Sequence, residues 1–446
     1  MKTIRIIVVV IFVTILILPI CFFNFRPDVI SEIDNRKLAE NPFSEEGDKT
    51  TNIEKYINDR LGFRDDMITG YTIFNDVLFG TMVHPTYTYG KDGYVFGAGI
   101  TTENTFGEYH IAFANMVKTI QDYCEARNVP FLFVFNPAKP AVYQDKLAKG
   151  INYNRDWVTM FFAELDKRNV NYIDNTSTMK ELRLQNEDGF NIKFDANHWN
   201  YNGAFYGTNK ILTNLKERCP SVHINTKEEF EYSLEHKTSL LVSKFPIDEY
   251  IPRYDGKELV INKYEEYSAL KLDAGFKGFY YYENGLRASE NSPKALVFQG
   301  SYMNSYGYKF LANSFGEYIA VHDYQNVIDF PYYYNIFQPD CVVFEVAEYT
   351  FNDSYFNYEK MMSINYNPTL ESLSSSKTIN VLDSDLIVDT ADNLTTITWR
   401  AANLYDHAWF ENNGIVYDMF YSDKGYNVTI DTQNYKNQSE YSIYVS

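Results

Sequence analysis

The chain has 446 residues and a net charge of −19, and 17% of it is aromatic, with 39 Tyr and 33 Phe. Setting aside the cations Lys2 and Arg5 leaves −21 for residues 26–446, which argues against nucleic acid as a partner, because phosphate backbones reward clustered Lys and Arg. Cys124, Cys219 and Cys341 are too few and too scattered for a disulfide framework, and with no CxxC pair and no H-E-x-x-H spacing neither a metal nor a cofactor is expected.

Met1-Lys2-Thr3-Ile4-Arg5 is basic and residues 6–25 are uncharged, close to the ~20 apolar residues of a spanning helix. The stretch closes with Leu18-Pro19-Ile20-Cys21-Phe22-Phe23 instead of a small-residue cleavage site, which favours an uncleaved anchor over a signal peptide. Pro19 and Ile20 also disfavour lipidation at Cys21. Cations ahead of the segment keep the N-terminus cytoplasmic and place the bulk of the chain outside a cell membrane crossed once. Residues 1–27 are thus read as the anchor and 28–90 as a membrane-proximal lead-in with an amphipathic helix around Asn52 to Arg60. In Tyr89 to Phe96, Asp92-Gly93 between aromatic and β-branched residues signals a hairpin.

Beyond residue 91 helices and strands alternate. Phe113, Val117, Ile120 and Cys124 recur at helical spacing, and Val129 to Phe135 is a continuous apolar run ending at Asn136-Pro137, as in a buried parallel strand. A helix over Trp157 to Arg168, a strand over Val170 to Ile173 and a helix opening after Asn202 follow. Strands at Ala295 to Phe298, Tyr318 to Val321 and Cys341 to Val346, with a helix over Tyr302 to Phe315, complete an α/β pattern whose sheet is mostly parallel and covered on both faces. Residues 220–290 have no clear period and read as an insertion over one end of the sheet. After about Thr369, short runs such as Thr396 to Trp399 and Tyr426 to Ile430 predict a small antiparallel β module. The expected domains are therefore an α/β domain at 91–368 and a β-rich module at 369–446.

Two segments carry candidate chemistry. Asp195 and His198 stand three apart at a strand-to-helix passage, where a carboxylate can hold the imidazole through Nδ1 and leave Nε2 as a base. Ser301 follows the strand Ala295 to Phe298 through Gln299-Gly300 and opens a helix, the position at which a parallel sheet exposes a nucleophile. A serine needs such an imidazole to accept its proton, and the imidazole needs the carboxylate. Alone, a D-x-x-H spacing is common by chance, with Asn200 or Asn202 capping the next helix, and Gly-Ser is a common helix N-cap. The remaining histidines are dispersed, and the Asp383 to Asp392 run lacks the glycine and glutamate of a calcium loop. Tyr-rich surfaces suit stacking on sugar rings, although compositional bias accounts for the Tyr content equally well.

The D-x-x-H-W-N-x-x-G-A segment at Asp195 to Ala204 resembles the Asp/His block of SGNH hydrolases. The whole arrangement is similar to the membrane-associated SGNH-like O-acetyltransferases of the alginate O-acetylation, or DHHW, type. Glu32 to Leu38 resembles that family's E-N-R-x-L-A segment, Tyr56 to Asp65 its F-N-D-x-F-x-F-R-D, and Gly90 to Phe96 its G-K-D-G-W-L-F. Asn136-Pro137-Ala138-Lys139 with Tyr143 resembles P-x-K-x-x-x-Y, and Phe298 to Tyr302 stands at its G-D-S-F. The resemblance implies an SGNH fold and O-acetyl transfer to an exported polysaccharide, with a membrane-bound O-acyltransferase supplying the acyl group. It also implies Ser301 as nucleophile, His198 as base and Asp195 as its orienting carboxylate. Gln299-Gly300 departs from the family's Gly-Asp, which leaves a degenerate, polysaccharide-binding or assembly protein as an alternative. A carbohydrate acetylesterase with the same triad is another. Asn304 and Tyr306 are candidate oxyanion donors beside the backbone N–H of Ser301. Lys139 and Trp199 are candidate substrate contacts, with a surface salt bridge slightly preferred for Lys139. Glu345 and Glu348 are read as a solvated strand end.

Overall fold

A computed structural model describes the chain except for residues 1, 28, 32, 34–35, 45–46, 99–103, 242–244, 257–259, 380, 382–384 and 436–440. Glu32 of the membrane-proximal motif and Asp383 of the acidic run lie outside the described residues.

Helix α1 (Lys2–Cys21) is long and apolar enough to cross a membrane, and no part of that span is buried in the chain. Its end is fastened to the junction of α2 (Lys49–Arg60) and α3 (Arg64–Phe79). Gly62 N–H donates to Pro19 O at 2.9 Å, Asn24 N–H donates to Arg60 O at 2.8 Å, and the Phe22 and Phe63 rings lie 5.0 Å apart. The Arg60 side chain, 2% exposed, donates to Asn24 O, Arg26 O and Ala39 O. Its buried cation is thereby satisfied by backbone carbonyls.

The expected hairpin forms between β1 (Tyr87–Tyr89) and β2 (Val95–Gly97). In chain order there follow α4 (Glu108–Ala126), β3 (Phe131–Asn136), α5 (Lys139–Val142), α6 (Asp156–Lys167), β4 (Tyr172–Asp174), α7 (Thr176–Leu184) and α8 (Tyr201–Lys216). Next come the strands β5 (Phe230–Ser239), β6 (Pro246–Gly256), β7 (Val260–Asn262), β8 (Phe279–Asn284), β9 (Lys294–Gln299), β10 (Glu317–His322) and β11 (Cys341–Ala347). The main sheet has the order β4-β3-β11-β9-β10-β8-β7. Its first five strands are parallel, and β8 and β7 close one edge antiparallel. Phe131, Phe133 and Phe135 face the helices α4 and α6, whereas Leu132 and Val134 face α7 and α8. Burial on both faces is why these strands read as unbroken apolar runs.

Residues 220–290 do more than cover an edge. They form the separate β5–β6 hairpin and also supply β7 and β8 to the main sheet. The seven strands from β12 (Lys377–Ile379) to β18 (Tyr441–Val445) make an antiparallel sheet with its own core around Ile397, Phe410, Tyr417 and Ile443.

Trp199 fills the gap between α8 and the helix that opens at Ser301, and this packing needs glycine at 207: a Cβ there would lie 2.3 Å from Trp199 Cζ3. Gly207→Ala is therefore expected to cost about 1–3 kcal/mol through overpacking, seen as a lower urea midpoint with an unchanged slope.

Candidate active site

The carboxyl ends of β3, β9, β10 and β11 meet at one edge of the sheet, and Gln299-Gly300 carries the chain from β9 into a helix beginning at Ser301. The first N–H groups of that helix have no intrahelical acceptor, so the helix start can donate to an oxyanion. Its second turn, Met303–Gly307, is π-helical, a widening that recurs at functional sites. There it carries Tyr306, whose hydroxyl donates to Asp195 Oδ2 at 3.1 Å.

Asp195 sits at φ 52°, in the left-handed region that Asp tolerates better than most residues. This turn brings Oδ1 to 2.7 Å from His198 Nδ1, and Oδ1 also accepts the His198 backbone N–H at 3.2 Å. Burial alone would push the Asp195 carboxyl up. The His198 imidazole and the donors around it outweigh burial and hold the carboxyl below its usual range. A carboxylate at Nδ1 selects the tautomer with its proton there, which leaves Nε2 as the acceptor.

The loop carrying this pair is clamped from three sides. The Glu249 carboxylate, on β6, accepts N–H bonds from Ile192, Lys193 and Phe194 at 2.7, 3.0 and 2.6 Å. Lys139 Nζ donates to Val95 O at 2.7 Å and Ile192 O at 2.9 Å. Trp199 Nε1 donates to Tyr302 O at 2.9 Å, and Tyr302 OH lies 2.8 Å from Asn197 O and 2.7 Å from Pro137 O. Asn200 caps α8 by accepting the Gly203 N–H at 3.0 Å.

Ser301 Oγ is 2.8 Å from Tyr349 OH, and no hydrogen bond joins Ser301 to His198 among the described residues. The two nevertheless share surroundings. The His198 ring lies 5.5 Å from Tyr302, the residue after the serine, and 6.5 Å from Tyr349, the residue that holds it. The serine and histidine are each only partly buried.

Beneath the serine lie two buried acids. Glu345 Oε2 accepts the Gly300 N–H at 2.7 Å, and its Oε1 accepts Asn136 Nδ2 at 2.7 Å. Asp323 Oδ1 lies 3.2 Å from His322 Nδ1, and neither carboxyl oxygen makes a well-aligned hydrogen bond among the described residues. Burial, reinforced by Asp323, pushes Glu345 up to about 8, and burial pushes Asp323 up to about 6.

Several expectations from sequence change. Lys139 is fully buried and braces two loops, so it is no surface salt bridge, and burial pulls its ammonium down to about 7. Trp199 is fully buried and packs the histidine loop onto the serine helix. The Asn304 side-chain oxygen accepts from Gln299 Nε2 at 2.6 Å, whereas the Tyr306 hydroxyl donates to Asp195 and is not placed as an oxyanion donor by that bond. Glu345 and Glu348 are buried, not solvated, and Glu348 pairs with Arg155 at 2.8 Å. Sequence reasoning missed Tyr349, Glu249 and Asp323. No spacing ties them to Ser301 or His198; the ends of β10 and β11 and the β5–β6 hairpin bring them there.

Among solved structures, PatB1 of Bacillus cereus superposes with a TM-score of 0.45 at 16% identity, covering 58% of this chain and 95% of that one. A DHHW family protein from Eubacterium siraeum gives 0.43 at 15% identity, covering 63% and 96%. AlgX of Pseudomonas aeruginosa gives 0.41 at 12%, covering 81% and 90%. A comparison with curated proteins finds no match. Residues 88–257 match the family model of the SGNH hydrolase-like domain of the acetyltransferase AlgX, a span that includes Asp195 and His198 and stops short of Ser301. The chain has an SGNH-like α/β fold and resembles the SGNH hydrolase-like acetyltransferases of the AlgX type.

Proposed function

We propose that this chain is an extracytoplasmic O-acyltransferase that moves an acyl group, acetyl in the first instance, onto a hydroxyl of a cell-surface or secreted polysaccharide. The Asp195–His198 contact at 2.7 Å, beside Ser301 at the carboxyl edge of the sheet, carries this reading. The match to an acetyltransferase domain supports the reaction class. The polysaccharide acceptor, a membrane-bound acyltransferase as donor partner, and α1 as the single membrane anchor belong to the same proposal.

In the first half-reaction Ser301 Oγ exchanges Tyr349 for the His198 imidazole, gives its proton to Nε2 and attacks the acyl carbonyl. The oxyanion faces the N–H groups at the helix start. Collapse breaks the bond to the donor's leaving group, which takes the proton from His198, and an acyl-Ser301 ester remains. In the second half, a sugar hydroxyl gives its proton to His198 and attacks the ester, and Ser301 recovers its proton as the acylated sugar leaves. Asp195 stays ionised throughout and steadies the imidazolium.

With a chromogenic acetyl ester, Ser301→Ala and His198→Ala are expected to lower turnover by about 10³-fold or more, with unchanged far-UV circular dichroism. Equal turnover in the native protein and both variants would remove the enzyme reading. Acetyl content of the polysaccharide in cells carrying Ser301→Ala falls for a transferase and rises for an esterase.

Tyr349→Phe removes one hydrogen bond to the nucleophile and is expected to change kcat by about tenfold with little change in KM, measured with the same ester.

Stability should respond to the buried acids. Glu345 and Asp323 titrate higher folded than unfolded, so across about pH 4 to 8 the folded state binds more protons and stability falls as pH rises. Each proton contributes up to about 1.4 kcal/mol per pH unit. Asp323→Asn removes one titration and lowers the other, so urea midpoints measured between pH 5 and 8 should decline less steeply than in the native protein.

A further inference from the structure

Helix α3 turns an apolar face outward. Phe63, its N-cap, and Met67, Tyr71, Phe74 and Leu78 follow one another at intervals of four, four, three and four residues, the spacing of a single helical face. They are 44%, 49%, 58%, 55% and 58% exposed. Val77 and Phe79 beside them are more exposed still. Of the exposed residues of α3 only Asp66 is charged, among the described residues. An open groove of about 810 Å³, lined by Met67, Tyr71, Met82, Val83 and Ile151, extends the apolar surface. A soluble surface rarely leaves so much contiguous apolar area uncovered.

What covers it follows from where α3 begins. The Gly62 N–H bond to Pro19 O and the Phe22–Phe63 ring contact set the first residue of the stripe against the end of α1. The approach leaves no slack, since a Cβ at Gly62 would lie 2.7 Å from Phe22 O. Phe22 and Phe25, just past the end of α1, are both exposed. The bare apolar surface of α1 therefore runs into that of α3 without a break. On the reading of α1 as a membrane anchor, the environment that covers one covers the other.

We infer that α3 lies in the outer boundary of the bilayer that α1 crosses, with Phe63, Met67, Tyr71, Phe74 and Leu78 sunk among lipid headgroups and upper acyl chains. A 16-residue helix spans about 24 Å, enough to seat the ectodomain on the surface at two ends instead of one. Aromatic and aliphatic side chains are those that partition into this zone. With a single acid on the face, attraction to lipid comes from apolar burial and is insensitive to salt.

The test uses the full-length protein reconstituted in phosphatidylcholine vesicles and carrying Phe74→Trp or, separately, Val77→Trp. All four native tryptophans are at most 5% exposed and out of reach of lipid, so subtracting the native protein's emission leaves the signal of the added indole. Its emission is expected to shift to the blue and to be largely lost when the lipid is brominated near the headgroup end of its chains, equally at low and high salt. Red-shifted emission that bromine leaves unquenched in both variants would overturn the inference. So would blue-shifted, unquenched emission that depends on protein concentration, because the face would then meet a second copy. The intact mass of protein taken from cell membranes separates this from the anchor reading. Loss of the first ~20 residues defeats the anchor, whereas a retained α1 with unquenched indoles defeats α3 alone.

Discussion

The hydrogen bond from Trp199 Nε1 to Tyr302 O fixes the relation between two segments a hundred residues apart in sequence, and the candidate chemistry depends on it. The indole is fully buried, and a buried N–H left without an acceptor is costly, so the pairing cannot drift. Trp199 follows His198 and Tyr302 follows Ser301; anchoring the second pair anchors the first. Tyr302 returns the tie through its hydroxyl to Asn197 O, so the histidine loop and the serine helix are pinned at two points. Glycine at 207 is what lets the indole ring sit this close to α8.

Two buried acids account for the departure at Gln299-Gly300. A Cβ at residue 300 would stand 3.5 and 3.6 Å from the Asp323 carboxyl oxygens and 3.6 Å from Glu345 Oε2. A carboxylate at that position would be a third acid in a space where burial already pushes two of them up. A Cβ alone would make only ordinary contacts there, so what this arrangement disfavours is a third carboxylate. The carboxyl groups under the serine therefore come from the ends of β10 and β11 instead of from the residue before it. Glu345 reaches the turn directly through the Gly300 N–H, so an acid that looked like a strand end orients the approach to Ser301.

What the sequence made legible follows from burial. The parallel strands β3, β9, β10 and β11 are covered on both faces, and their unbroken apolar runs name them at once. β5 keeps only Phe230 buried, and no period survives to mark it as a strand. β8, at Phe279–Asn284, is a run of Phe and Tyr whose antiparallel pairing nothing in the sequence announces. Within the site, Asp195 and His198 were legible because their contact is local, three residues apart. Tyr349 reaches Ser301 across 48 residues, Glu249 reaches the histidine loop across more than 50, and only the fold sums such distances. Lys139 misled because a lysine after a strand is ordinarily solvated. Here two backbone carbonyls accept hydrogen bonds from its Nζ in a closed space, and it has become a brace.

The C-terminal sheet is joined to the α/β domain by a buried charge, which decides how independently it can move. Asp418 on Ile415–Ser422 receives Arg127 Nη2 at 2.9 Å and the Tyr123 hydroxyl, both from the α4 end of the α/β domain. Asn335 donates to Asp418 O at 2.9 Å, and Tyr267 OH donates to Asp431 at 2.6 Å. Separating the two units would strand Asp418 without its cation, and breaking one side of a buried pair costs about 3–5 kcal/mol. An interface held in this way behaves as part of the fold, unlike a flexible linker between domains. The C-terminal sheet and the serine edge are therefore held at a fixed separation.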